Sequence, residues 1–511
     1  MNLNKIFLSV ATFIMLIVLS TSCTQDFEEI NTNNNSPALS QAAPEMLLTN
    51  IVESMTSRTH EIFFGHEMGS GWVQHMAKVQ YTDEDRYIPR MGIINSTWNS
   101  FYASSGMDAQ LLINLGIDKK NPSYEAIGLI LKSYIVSIVT DEWGDVPYSE
   151  AFLGADATPI LSPKYDKQAD IYVALLANLA QANTLLNTGT AIKGDILFKG
   201  DLTKWKKFAN SLRLRLLMRQ SDRVDPTAAI TAMVNDPVVY PIFTSNTDNA
   251  ALAYLGSAPN NNPINENRKT RDDHRVSKTL IDVMWVNNPN MDYRVAVYAN
   301  LPGAGGWWEG IPNGMLSTDA GNYKGNGLTK TSKIGDYFSA ATAPGMLMSF
   351  AELKFLLAEA AQRNFITGSA KTAEQYYIEA VTASYNQFAN EIVAKNKAIA
   401  ALGIPASWTI NNFVTDYLAN YGAWNASNAL KQIATEKWLA MFDQGTQAAF
   451  EWRRTGFPVL LPGVDASNGG KIPVRAYYPS DEAARNPTNL AAAIASQGPD
   501  TMNTKVWWDK N

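Results

Sequence analysis

The sequence predicts a mostly α-helical protein, a scaffold of helices and helix pairs that carries long loop-rich segments and a few short strands. Two observations predict it. Apolar residues recur at i, i+3 and i+4 over most of the chain. One stretch, about 237 to 345, breaks that rhythm and is rich in Asn, Gly and Pro.

The helical segments follow in order. "APEMLLTNIVESM" sets Leu47, Leu48, Ile51, Val52 and Met55 on one face. "STWNSFYASSGMDAQLLINLG" places Trp98, Phe101, Tyr102, Leu111, Leu112 and Leu115 similarly. "SYEAIGLILKSYIVSIVTDEWG" carries Ile127, Leu131, Tyr134, Ile135 and Ile138, with apolar residues on the other faces too, so this helix belongs at the centre. "DIYVALLANLAQANTLL" repeats Ile171, Leu175, Leu179 and Leu186. "DLTKWKKFANSLRLRLLMRQS" buries Trp205, Phe208, Leu212 and Leu216 and turns Lys204, Lys207 and Arg215 outwards. "DPTAAITAMVN" opens with an Asp225 cap and Pro226 in the first turn. Between 237 and 345 only "SKTLIDVMW" has helical spacing; the rest predicts loops with short strands, and loops this long are usually functional.

Helices then return. "MSFAELKFLLAEAAQRNFITGSAKTAEQYYIEAVTASYNQF" predicts two helices joined by a Gly-containing turn, with small residues where helices approach and aromatics where they wedge. It resembles a tetratricopeptide helix pair. "ALKQIATEKWLAMFDQGTQAAFEWRRTGFP" predicts a further pair, and the C-terminal tail is expected to be loop.

The start of the chain has a different character. Lys5 precedes an apolar run from Ile6 to Leu19, the length of a signal-peptide core and too short for a comfortable membrane span. Small residues lead to Cys23, the only cysteine of the chain. The segment 1–22 resembles a bacterial lipoprotein signal, with Leu19 four residues and Ser20 three residues before the cysteine. Cys23 would then be lipidated, leaving no thiol for disulfides, metals or nucleophilic attack. Ordinary cleavage with a free thiol is the alternative. Residues 23–39 form an acidic, Asn-rich tether resembling a surface-export signal, and 40–511 a single α domain in which 237–345 is a loop-rich ligand-face insertion.

Composition excludes several function classes. A net charge of −6 without a strong basic patch argues against nucleic acid. There is no P-loop and no dinucleotide-binding glycine motif. His60 and His66 are six apart, which is not the H-E-x-x-H spacing of a zinc helix, and no metal or cofactor is expected. Ser70 in "MGSGW" does not form a nucleophile elbow. Acidic pairs such as Asp83/Asp85 and Asp272/Asp273 are more often solvated loop carboxylates than hydrolase acids. "YTDEDR" lacks EF-hand spacing.

Three stretches, "DEWGDVPYSEAF", "KWLAMFDQGTQAAFEWRRTGFPVL" and "VRAYYPSDEAARNPTNLAAAIASQGPDTMNTKVWWDKN", share their order and spacing with the SusD/RagB family of nutrient-binding outer-membrane lipoproteins. The "FANSLRLRLLMR" helix and the signal agree with it, so the resemblance covers essentially the whole mature chain. It implies a SusD-like helical fold with a loop-rich face, no enzymatic activity, and a place as a lid on a SusC-like TonB-dependent transporter, to which oligosaccharides, or in some members peptides, are passed. The protein would be lipid-anchored at the outer membrane and face the cell exterior. A surface glycoside hydrolase and a helical assembly protein remain the alternatives. The motif residues themselves are expected to be structural: Trp143, Gly144, Pro147 and Tyr148 in a packed turn, Arg453 and Arg454 paired with carboxylates.

Sugar recognition needs flat rings for the apolar pyranose faces, with amides or guanidiniums for the hydroxyls. The chain has 13 Trp and 21 Tyr. The candidates are Trp72, Tyr81 and Trp98, then Asn262 and Arg268, then Trp307, Trp308 and Asn313, most of them in non-periodic segments.

Overall fold

In the computed structural model, residues 43–153, 158–288, 290–368 and 371–511 are described. Cys23, the signal segment and the tether lie outside them.

The principal helices are α1 (Pro44–Thr59), α2 (Met107–Asp118), α3 (Pro122–Trp143), α4 (Gln168–Leu185), α5 (Leu202–Arg219), α6 (Phe350–Gln362), α7 (Ala373–Gln387), α8 (Ala429–Ala440) and α9 (Thr446–Thr455). Local chemistry starts several of them. The Asn121 side chain accepts from the backbone N–H groups of Ser123 and Tyr124, and Pro122 follows in the first turn of α3. Asp201 caps α5 through Thr203 and Lys204, and Thr372 with Gln375 forms a capping box on α7. Before α2, a helix over Met91–Asn99 runs into a π-helical segment, Ser100–Gly106. A second π-helical segment covers Ile62–Ser70.

Sequential helices pack as neighbours: α2 on α3, α3 on α4, α4 on α5, then α5 on α6 and α6 on both α7 and α8. This is the stacked-pair geometry expected of the "MSFAELKF…" stretch. Helix α3 is long and apolar enough to cross a bilayer, yet nearly all of it is buried inside the bundle. Each fully buried Leu or Ile contributes roughly 1.5–3 kcal/mol relative to exposure, so an all-round apolar helix belongs at the centre. One contiguous cluster of buried apolar side chains reaches from Leu48 to Trp508.

Three differences from expectation concern charges and the tail. The spacing puts Arg215 on the polar face of α5; in the structure it is fully buried and makes a bidentate pair with Glu352 of α6, at 2.6 and 2.7 Å. Arg454 does pair with carboxylates, Glu359 and Glu451, but Arg453 donates instead to the carbonyls of Val474 and Asp141. The tail is not all loop: it holds helices Ser480–Arg485 and Pro487–Gln497. The last of these matters for the "WGDVPY" turn. Gly144 adopts φ +86, and Gln497 packs where a Cβ would stand, bonding the Trp143 carbonyl and the Asp145 N–H.

Among the described residues the strands form three two-stranded antiparallel sheets. Two of these involve the loop-rich segment, β1 (Met76–Lys78) with β5 (His274–Val276) and β4 (Ala250–Leu252) with β6 (Gly345–Met348); the third pairs β2 (Val146–Pro147) with β3 (Tyr165–Asp166).

Candidate ligand-binding face

The β1–β5 ladder pairs Met76 with Val276 and Lys78 with His274, which fixes where the loops on either side emerge. A buried charge cluster clamps the ladder. Lys78 Nζ lies 2.6 Å from Glu67 and 3.7 Å from both Glu84 and Asp273. His274 sits between Glu67 and Asp273, 3.2 Å from each. Burial alone would depress the His274 pKa; hydrogen bonds and charge from Asp273 and Glu67 outweigh it and raise the imidazole above its usual range. By contrast, burial pushes His66 and His75 down to about 3.

Beyond β1, a small second apolar cluster of Ala77, Val79, Ile311 and Ala320, with Met315, Tyr323 and Leu328 against it, joins the β1 exit to the loop 307–328. Asn313 locks this junction. It is buried, its Nδ2 lies 2.7 Å from both the Met76 carbonyl and Asp85 and 3.2 Å from the Gly71 carbonyl, and its Oδ1 accepts from Ser277 Oγ. Burial pushes the Asp85 carboxyl up to about 6, even though the Gly314 N–H and Asn313 favour its charge.

Two exposed rings emerge from these loops. Trp307 follows Gly305 and Gly306, which have φ of +82 and +100 and open space where a Cβ would stand. Its indole is 39% exposed. Trp285 packs against it at 4.8 Å between ring centroids and 31° between planes, and Trp308 meets Trp285 edge-on at 5.1 Å. Trp308 is buried and donates to the Ala299 carbonyl at 2.9 Å. The result is a cluster of three indoles whose exposed member, Trp307, faces solvent. Glu309 stands at its edge, held by Lys324 and the Tyr323 hydroxyl. The second ring, Tyr81, is 57% exposed, at the end of the β1 exit, with the Arg271 guanidinium 4.5 Å above its centroid.

The remaining candidates occupy other places. Trp72 and Trp98 are both 4% exposed, so neither offers a face to a sugar. Trp72 donates to the Glu84 carbonyl, and Trp98 packs among Tyr102, Trp143, Tyr165 and Tyr478. Asn262 is buried as the cap of the helix Pro263–Arg268. Arg268 is half-buried and donates to the Ile334 carbonyl. Trp308 and Asn313 are thus structural parts of the junction behind Trp307, Asn262 and Arg268 bond backbone carbonyls elsewhere, and of the candidates only Tyr81 and Trp307 offer an exposed ring. Sequence reasoning missed Trp285, which sits in the one stretch of helical spacing, and the contact of Arg271 with the Tyr81 ring, which a run of charges without periodic signal does not announce. Among the described residues no group of His, Cys, Asp and Glu is arranged to hold a metal ion.

The family model described as "Starch-binding associating with outer membrane", SusD-like, matches residues 34–479. A solved chitin-binding protein is 29% identical with a TM-score of 0.75, covering 92% of this chain and 100% of its own. A SusD homologue from Bacteroides fragilis is 25% identical with a TM-score of 0.72, over the same shares of the two chains. A chitin-binding SusD homologue from Flavobacterium johnsoniae shares the fold at 22% identity and a TM-score of 0.71, covering 92% of this chain and 98% of its own. No curated protein sequence matches. With a family match over most of its length and a mostly helical fold that these structures share, the chain belongs to the SusD-like family of starch-binding proteins that associate with the outer membrane.

Proposed function

We propose that this protein captures oligosaccharides at the cell surface and hands them to a SusC-like TonB-dependent transporter, without chemical turnover. It would be anchored in the outer membrane through lipidated Cys23 and face the exterior. The observation that supports this reading best is the Trp285–Trp307–Trp308 cluster with one open indole, Trp307, which follows Gly305 and Gly306 where the space is open. A flat ring already packed on its inner side has little freedom left to lose when a pyranose stacks on its outer side. Tyr81 and the hydrogen-bonding groups about Trp307, Glu309 and Tyr323 among them, would then meet hydroxyls.

The test is tryptophan fluorescence titration of the full chain in detergent against neutral oligosaccharides, starch- and chitin-derived, with product analysis in the same samples. Saturable quenching without new products is expected. Trp307→Ala should weaken binding by at least about tenfold, the range of an aromatic anchor, with an unchanged melting temperature. Saturation that is indifferent to Trp307→Ala would remove the indole platform, and released products would replace the carrier by a hydrolase.

A further inference from the structure

We propose that Tyr81 and Arg271 form a second subsite, selective for a sugar unit that bears an oxyanion, a carboxylate or a sulfate ester. The inference rests on the carbohydrate-binding reading and adds a preference that the indole stack does not supply.

Asp272 is the shared acidic partner of three cations: Lys333, Arg275 at 3.6 Å and Arg268 at 3.9 Å. Asp273 is taken by Lys78 and His274. Arg271 lies beside both aspartates in sequence and pairs with neither. Among the described residues its guanidinium makes no hydrogen bond and has no carboxylate within 4.0 Å; its contact is the Tyr81 ring. A protein with net charge −6 therefore exposes an uncompensated guanidinium at its loop-rich face.

The second observation is independent. Tyr81 adopts φ +53, a left-handed conformation that costs a bulky residue energy and is tolerated where the surroundings impose it. That backbone turn leaves the ring more than half exposed with Arg271 across it. Stacking on an aromatic face keeps a guanidinium flat and leaves the N–H donors on its edge free. Planar carboxylates and sulfate oxygens accept such a fork in a bidentate fashion, whereas neutral hydroxyls match it poorly. An exposed ring beside an open fork fits a sugar ring with an attached anion better than an isolated inorganic ion, which would have no use for the ring.

The experiment is calorimetric titration of the full chain in detergent with three probes of equal length: a neutral chito-oligosaccharide, an oligogalacturonate and a sulfated oligosaccharide, each at low and high salt. At least one acidic probe is expected to bind about tenfold more tightly than the neutral one, as suits a charge-assisted pair. Arg271→Gln should remove that advantage and leave neutral binding unchanged, and Arg271→Lys should restore only part of it. Which acidic probe gains decides between carboxylate and sulfate. Neutral binding with no acidic advantage, or an advantage indifferent to Arg271→Gln, overturns the subsite and leaves the capture function standing. Failure of every glycan overturns the capture function itself. An acidic peptide that binds through Arg271 where acidic glycans do not would overturn the sugar assignment.

Discussion

The buried arginines of the helical scaffold and Arg271 of the loop-rich segment live under different rules. In the scaffold, Arg219 bonds Asp141 at 2.8 Å and Glu451 at 3.0 Å, Arg454 bonds Glu359 at 2.6 Å and Glu451 at 2.9 Å, and Lys437 contacts Glu451. These groups, buried throughout, join α3, α5, α6, α8 and α9. Burial would raise the Glu451 carboxyl, but Arg454, Lys437 and Arg219 outweigh it and hold it well below the usual carboxylate range. On the face, Arg271 is exposed and spends its charge on no carboxylate. A buried cation must be matched because leaving it alone in low dielectric is costly, while an exposed one can stay unmatched in water until a ligand arrives. The difference separates charges that assemble the fold from those free to recognise something.

The largest effect is expected in the scaffold. Arg454→Ala leaves Glu359 and Glu451 short of a partner and should cost about 3–5 kcal/mol in chemical denaturation, whereas Arg271→Gln should leave the midpoint where it is. A similar loss for both would erase the distinction. Next comes Asn313, which belongs to both regions, buried like the scaffold but placed under the face. Asn313→Ala strands the Met76 carbonyl and Ser277 and removes a donor from Asp85. A loss of about 1–3 kcal/mol is expected, and glycan binding should weaken although no ligand contact is deleted. Unchanged binding would show that the Trp307 loop keeps its geometry without this lock.

The smallest effect is one of pH. His274 is held above its usual pKa by Glu67 and Asp273, with Lys78 and Glu84 close by. A raised pKa means that its contribution to stability is complete below about pH 6.5, the ordinary value, and is lost as pH rises through the folded-state pKa. Asp85, raised to about 6, and Glu142, raised to about 7, act in the same sense, their losses beginning at lower pH, from the ordinary carboxylate values upward. The stability difference between wild type and His274→Gln should therefore shrink as pH rises above about 6.5. A difference that stays constant would mean that the proton on His274 does nothing for the clamp.

Much of the scaffold was legible in the sequence because helical burial is periodic. The stripe Leu48, Ile51, Val52 and Met55 is buried as its spacing implies, and the all-round apolar α3 lies at the centre. Periodicity failed where a charged residue was buried: Arg215 is inside because Glu352, far off in the chain, meets it there. It was silent on the face as well. Trp307 and Trp308 are adjacent and identical in kind, yet one is open and the other is sealed by the Ala299 carbonyl. Asn262 and Asn313 have the chemistry of ligand groups, and both spend it on backbone and neighbouring side chains.

By itself the sequence determined the helical class, the order of the helices and the stretch that departs from them, because spacing and caps act over a few residues and need no distant partner. The tertiary structure alone decided which aromatic rings stay in water, which cations are matched and how Trp285, Trp307 and Trp308 meet. Those outcomes depend on groups tens to hundreds of residues apart reaching contact distance, and no local pattern encodes that.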